Sequence, residues 1–163
     1  NTTDVTMMEE LDFDNLCLQD LFLDQVKKTP DAIAVVDGSV ELTYTELDDI
    51  TSTLAIQLIE EYDVRPDAVV GILLPRSVQY VISYVAILKA GGAYMPLELV
   101  YPKTLLERAV TETDCKVVLT NAMYANRVDG QEHIVLLDAA PFVDYNNMSP
   151  TLVYPPPSYQ RPH

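Results

Sequence analysis

Two patterns of apolar residues alternate along this chain, one with a period near 3.6 and one of short unbroken runs, and their alternation divides it into elements. Leu18, Leu21, Phe22 and Val26 recur at helical spacing until Thr29 and Pro30 stop them, which predicts a short amphipathic helix. Residues 33–36 form an apolar strand candidate, and Asp37-Gly38, a two-residue hairpin signal, leads into a second over 40–42. Thr43 and Glu46 then stand three apart, as a capping box requires, with Leu42 and Leu47 flanking them as a hydrophobic staple. Leu47, Ile50, Leu54, Leu58 and Ile59 line one face of the helix that follows, which runs to about Tyr62, while Asp48, Asp49 and Glu60 mark the opposite, solvated face. The box accounts for both the identity and the spacing of Glu46, so Glu46 reads as a cap and not as a catalytic acid.

After a turn at Arg65 and Pro66, residues 68–74 are apolar at nearly every position, as in a parallel strand buried on both faces. Pro75 and Arg76 break the run, and Ser77 can cap a helix whose apolar face is Val78, Val81, Ile82, Val85 and Leu88. Leu88, Lys89, Ala90, Gly91, Gly92, Ala93, Tyr94, Met95 and Pro96 join that helix to a strand over 93–97. Gly91 suits the left-handed residue that ends a helix, and Gly92 lets the backbone reverse close to a neighbour. The unit is βαβ, for which a right-handed crossover is expected. Tyr101 and Pro102 introduce another helical pattern, Leu105, Leu106, Ala109 and Val110, with proline at a favoured first-turn position. Buried-type strands follow over 116–120 and 134–137, separated by a short polar crossover containing Asp129 and Gly130. Alternation of this kind predicts an α/β domain with a mainly parallel sheet and flanking helices.

The two ends do not share the pattern. Residues 1–17 are acidic and weakly periodic, reading as a linker or arm. Beyond Asp138, Pro141, Pro150, Pro155, Pro156, Pro157 and Pro162 make 141–163 a proline-rich linker. Within it Pro156, Pro157, Ser158 and Tyr159 also match a short ligand pattern for aromatic grooves, since polyproline II segments dock there. The chain begins at Asn1 without a methionine, which suggests that it is cut from a longer protein.

Composition narrows the chemistry. With 163 residues, 48% of them hydrophobic, the chain can build one domain or part of one. Its 25 acidic against 10 basic residues give a net charge of -15, which repels nucleic acid and anionic membranes in the absence of a basic cluster. Cys17 and Cys115 are too few and too far apart for a disulfide framework or a zinc site, and read as two reduced thiols. His133 and His163, the only histidines, have no metal-ligand spacing to cysteine or carboxylate. Neither a membrane span nor a secretion signal is visible, so the default compartment is the cytoplasm. Glycine beside Lys89 admits a phosphate-loop reading, but phosphate loops lie between a strand and the start of a helix, whereas this pair follows a helix.

Taken together, the motifs resemble the amino-terminal part of a nonribosomal peptide synthetase-type adenylation domain, within the adenylate-forming, AMP-binding enzyme superfamily. Leu42, Thr43, Tyr44, Glu46 and Leu47 match the family's first core motif, and Leu88 through Pro96 with Leu97 match its second, more specific one. Thr29, Pro30, Asp31 and Ala32 resemble the segment before the family's first strand, while residues 71–77 and Tyr101-Pro102 stand where the family expects them. The likeness covers about residues 18–137, so that 18–140 reads as a partial adenylation domain. Glu98 and Leu99 replace a usual aspartate and proline, and Leu105 replaces a usual arginine. Tyr94 and Met95 favour the amino-acid-activating members over the acyl-CoA synthetases.

The resemblance implies an N-terminal subdomain portion of an enzyme that activates an amino-acid carboxylate with ATP and magnesium to an aminoacyl adenylate. It then transfers the aminoacyl group to a phosphopantetheine thiol on a carrier domain. It also implies that the family's ATP-cradling Ser/Thr/Gly-rich loop, its nucleoside-binding motifs and its carboxy-terminal lysine are not among these residues. No residue of the chain is therefore assigned a catalytic, cofactor-binding or metal-binding role, and the expected partners are the rest of the domain and a carrier domain, with no nucleic acid and no membrane. The alternative is a catalytically silent α/β binding or scaffold module. A strand such as 68–74, buried on both faces, is further expected to lack part of its cover in a fragment.

Overall fold

The computed structural model describes residues 17–139. The acidic stretch before Cys17, the proline-rich segment with its Pro156–Tyr159 pattern, and His163 lie outside the described residues.

Helix α1 (Leu18–Lys28) ends at Thr29, whose N–H donates to the Gln25 carbonyl. It is followed by the hairpin β1 (Ile33–Asp37) and β2 (Val40–Thr43), an antiparallel pair closed across Asp37 and Val40. Helix α2 (Tyr44–Tyr62) starts on the predicted box. Thr43 Oγ1 accepts from the Glu46 N–H at 3.2 Å, and Glu46 Oε2 accepts from the Thr43 N–H at 2.8 Å. Leu47, Ile50, Leu54 and Leu58 are buried as expected, joined by Ala55 and by Thr51, whose hydroxyl donates to the Leu47 carbonyl at 2.7 Å.

Strand β3 (Val69–Ile72), helix α3 (Val78–Ala90) and strand β4 (Ala93–Pro96) make the βαβ unit. Ser77 caps α3 by accepting from the Tyr80 N–H at 3.3 Å, and the Asp37 carboxylate of the hairpin accepts from the Val78 N–H at 3.0 Å. The turn residue of β1 thus also caps a helix 41 positions away. The buried stripe of α3 is Val78, Ile82, Ser83, Ala86, Ile87 and Ala90. Val81, Val85 and Leu88, expected on that face, are only half-buried. The cause is that α2, α1 and the hairpin all pack against α3, so that small residues take the closest approaches and the larger ones flank them.

Helix α4 (Lys103–Glu112) begins one residue later than its proline suggested: Pro102 occupies the cap position, not the first turn. Leu106 and Val110 are buried, but Leu105, expected in the apolar set, is 43% exposed. Strand β5 (Val117–Thr120), a 3₁₀ helix (Ala125–Val128) within the polar crossover, and strand β6 (Ile134–Leu136) complete the described chain. The four main strands form one parallel sheet in the order β4-β3-β5-β6, and the hairpin stands as a separate sheet.

Alternate residues of β3 and of the two positions that follow it face opposite cores. Val70, Ile72 and Leu74 join Val117, Leu119 and the apolar stripes of α2 and α3. Leu73, with Val118, joins Leu97, Leu106, Val110, Cys115 and Val128 on the α4 side. Gly71 faces the second core, where an added Cβ would lie 3.1 Å from Leu97 and 3.3 Å from Val118. The expectation that this strand lacks part of its cover is therefore corrected: the chain's own helices bury both faces of β3. The reason is that α3 and α4 return on opposite sides of the sheet.

Candidate functional site

Open parallel sheets bind ligands at the carboxyl ends of their strands, where the strand order reverses. Here the reversal lies between β3 and β5, since β4 is added on one side of β3 and β5 on the other. The crevice is closed by its own polar groups. The Thr120 hydroxyl, fully buried, donates to the Leu73 carbonyl at 2.6 Å and ties the two strand ends together. Just beyond, Asn121 Oδ1 accepts from the Met123 N–H at 3.1 Å, and the Asp138 carboxylate after β6 accepts from the Ala122 N–H at 3.0 and 3.1 Å. Arg127 reaches from the 3₁₀ helix to the carbonyls of Leu99 and Tyr101, holding the loop that follows β4. These groups spend their hydrogen bonds on turn geometry.

The glycine joint is built just as tightly. Gly91 adopts φ +81°, a left-handed helix terminus, and the Gly92 N–H donates to the Ile87 carbonyl at 3.1 Å. A Cβ on Gly92 would lie 2.9 Å from Val64 Cγ1 and 3.2 Å from the Ala68 carbonyl, so close packing with the approach to β3 demands glycine.

Lys89, the cation of this motif, turns inward. Its Nζ donates to Asp48 Oδ1 at 2.5 Å, to the Asp48 carbonyl at 3.1 Å and to Ser52 Oγ at 3.0 Å, and it stands 5.2 Å from the centre of the Phe22 ring. Three ammonium protons thus meet three acceptors, and Lys89 joins α3 to α2 and α1. Burial pushes its pKa down, and the bond to Asp48 opposes that. Asp48 was expected on the solvated face of α2, but its side chain is 27% exposed and Lys89's only 10%. The sequence held one signal for the pair that its helical reading passed over. Asp48 and Ser52 stand at i and i+4 beside the apolar stripe of α2, and Lys89 is the lone charge in the otherwise apolar second half of α3.

Other candidate groups remain apart. Cys17 is exposed and Cys115 buried, both as free thiols. Burial pushes the Cys115 thiol up, and it donates to the Val117 carbonyl. His133 meets Tyr62 edge-on at 5.5 Å. Among the described residues no three of His, Cys, Asp and Glu come together as metal ligands, and no helix is long and apolar enough to cross a membrane. A cleft of about 290 Å³ between α4 and the 3₁₀ helix is lined by Glu107, Thr111 and Gln131. Another of about 280 Å³, at the amino ends of the strands, is lined by Asp67 and by two ion pairs, Arg65 with Asp63 and Lys116 with Asp114. Among the described residues, these polar groups fix loops and tie strand ends.

Comparison with known proteins agrees with the first and second motifs. The family model described as AMP-binding enzyme matches residues 22–160. Zwittermicin A synthase ZmaJ of Bacillus cereus is 41% identical over 111 residues, 68% of this chain and 21% of its own length. Bacitracin synthase 2 of Bacillus licheniformis is 34% identical over 132 residues, 81% of this chain but 5% of its own length. Among solved structures, the nonribosomal peptide synthetase FmoA3 in its α-methyl-L-serine-AMP-bound form superposes with a TM-score of 0.71 at 30% identity, covering 76% of this chain and 14% of FmoA3. The chain therefore spans about a fifth or less of each of these relatives.

Proposed function

The chain belongs to the AMP-binding enzyme family, as an amino-terminal portion of a nonribosomal peptide synthetase-type adenylation domain, and from that premise we propose that it is the scaffold part of an adenylate-forming ligase. In this reading the parent joins an amino-acid carboxylate to ATP, releases pyrophosphate, and passes the aminoacyl group to a phosphopantetheine thiol on a carrier domain in the cytoplasm. Residues 18–140 are its partial adenylation domain, with linkers on either side. The rest of the adenylation domain and the carrier domain are the partners.

The observation that carries this division of labour is Lys89. The one cation in the second motif has each of its protons engaged by Asp48 and Ser52, which leaves none for a phosphate. Adenylation needs cations and backbone N–H groups around phosphate charge, with magnesium balancing the remainder. The described residues do not fit ATP and magnesium, since the lysine is spent internally and the strand ends of β3 and β5 are tied by Thr120. We derive no step through either.

The test is calorimetry with MgATP together with amino-acid-dependent pyrophosphate exchange on the chain. The expected outcome is neither saturable binding nor exchange. Micromolar MgATP binding that is lost in a folded Lys89→Met variant would overturn the scaffold reading.

A second reading, an independent and catalytically silent α/β module, is favoured by one observation: both faces of β3 are buried by the chain's own helices. The sequence of the transcript downstream of His163 separates the two. A Thr-Ser-Gly-Ser/Thr-Thr-Gly-x-Pro-Lys type loop there supports the ligase, and a stop codon supports the module.

A further inference from the structure

Helix α1 is held differently from the helices beside it. Among the described residues none of its eleven side chains is fully buried, whereas α2 and α3 each bury six. Leu21, Phe22 and Val26 of its apolar stripe are half-buried, and Leu18 is 59% exposed. Bonds at its two ends are local: the Asp20 carboxylate accepts from the Cys17 N–H at 3.1 Å, and Gln25 Nε2 donates to Thr29 Oγ1 at 2.6 Å.

Phe22 is the side chain that α1 packs against the core. Its ring lies 6.2 Å from the Tyr44 ring and 5.2 Å from Lys89 Nζ, over the ammonium that ties α3 to Asp48 and Ser52 of α2. Directly behind α1 the chain is pinned. The Pro30 carbonyl accepts from the Thr45 N–H at 3.0 Å and from Thr45 Oγ1 at 3.1 Å, and the Ala32 carbonyl accepts from the Tyr44 N–H at 3.0 Å. A movement of α1 therefore stops at Pro30 and leaves the hairpin and α2 in place. An isolated helix shorter than about 12 residues is marginal in water, so α1 is helical because it is packed, and undocking and unwinding are one event.

We propose that α1 is a strap: it undocks and unwinds as a unit about Pro30 while the sheet and the other helices stay folded, and in doing so it uncovers Lys89. The test is native-state amide exchange on the intact chain over a range of low denaturant concentrations, paired with acetylation of its lysines by N-hydroxysuccinimide acetate. In the parent the amides of residues 22–28 should share one opening equilibrium, less dependent on denaturant than that of β3 and β5, because one helix exposes little surface. Phe22→Leu keeps an apolar side chain and a better helix former but removes the ring. It should open α1 about tenfold more often, and should raise acetylation of Lys89 relative to the 42%-exposed Lys116 by a similar factor. Val110→Ala, in the core on the α4 side, should speed exchange in β3 and β5 but leave both α1 and Lys89 as in the parent, since that core stays closed when the strap opens. The parent and Val110→Ala decide the matter if Phe22→Leu fails to fold. Exchange of α1 with the denaturant dependence of β3 and β5, or its acceleration in Val110→Ala, would overturn the proposal by showing that α1 opens only with the whole. Protection graded inward from the first turn would overturn it as fraying, and Lys89 acetylation that does not follow α1 opening would show that the strap does not cover this lysine.

Discussion

Residue by residue, the local signals were legible where one side chain serves its own neighbourhood. Thr43 and Glu46 form their box because a hydroxyl and a carboxylate three residues apart satisfy each other's amides whatever the rest of the chain does. Thr43→Ala should cost about 0.5–2 kcal/mol in urea denaturation. A Thr43→Ala, Glu46→Ala double variant should lose less than the two single losses added, because the second removal acts on a box already opened. Lys89 and Asp48 were not legible, because their pairing depends on how α2 and α3 dock. That pair has a titratable neighbour in Asp49, whose carboxyl is pushed up by burial and by Asp48, with Lys89 opposing. A carboxyl raised in the folded state binds more protons there than in the unfolded chain, so its ionisation weakens the fold as pH rises above the usual aspartate range. Asp49→Asn should therefore raise the denaturation midpoint at pH 7. The difference from the parent should shrink as the pH is lowered below about 3.9, where both states hold the proton.

At the scale of elements, the glycine joint separates conformation from space. Gly91 has a positive φ with nothing within 4 Å of an added Cβ, whereas Gly92 has the Val64 side chain at 2.9 Å and the Ala68 carbonyl at 3.2 Å. Gly91→Ala should cost about 1–2 kcal/mol through the left-handed backbone alone. Gly92→Ala should cost about 1–3 kcal/mol through overpacking, and Val64→Ala should relieve part of that second loss but none of the first. A double-variant cycle by chemical denaturation measures this; equal rescue of both glycines would show that the joint yields as one unit. The sequence announced the order and type of the elements, since periodicity and caps are local. It misjudged which face of α3 is buried and where α4 begins. Val81, Val85 and Leu88 are as apolar as Ile82 and Ile87, so only the docking of α1, α2 and the hairpin decides between them. Pro102 is compatible with both the cap and the first turn, so its ring did not choose.

For the whole molecule, the strand order β4-β3-β5-β6 was beyond the sequence, because no local signal says on which side of β3 a returning strand will pair. That choice decides the candidate site. By placing β5 next to β3 it puts Thr120 within reach of the Leu73 carbonyl, and among the described residues it leaves β4 as the outer strand, with Tyr94 exposed. It also predicts how stability is distributed. Val70, Ile72, Val117 and Leu119 lie in one core and Leu73 and Val118 in the other, with neighbours on both sides in the ladder. Their amides should open only on global unfolding, whereas the Tyr94 amide, directed to the outer side of β4, should exchange fast. A net charge of -15 opposes self-association at neutral pH, and that opposition fades as the pH approaches the sequence pI of about 4.2. Amide exchange at neutral pH, followed by sedimentation as the pH is lowered toward that value, tests both parts. The expected result is strong protection through β3 and β5, fast exchange at Tyr94, and association that sets in only on acidification. Uniformly weak protection through β3 and β5 at neutral pH would show that the two cores of these residues do not close without more chain, and would move the weight of the argument from a self-sufficient module to a scaffold that is completed only in the parent enzyme.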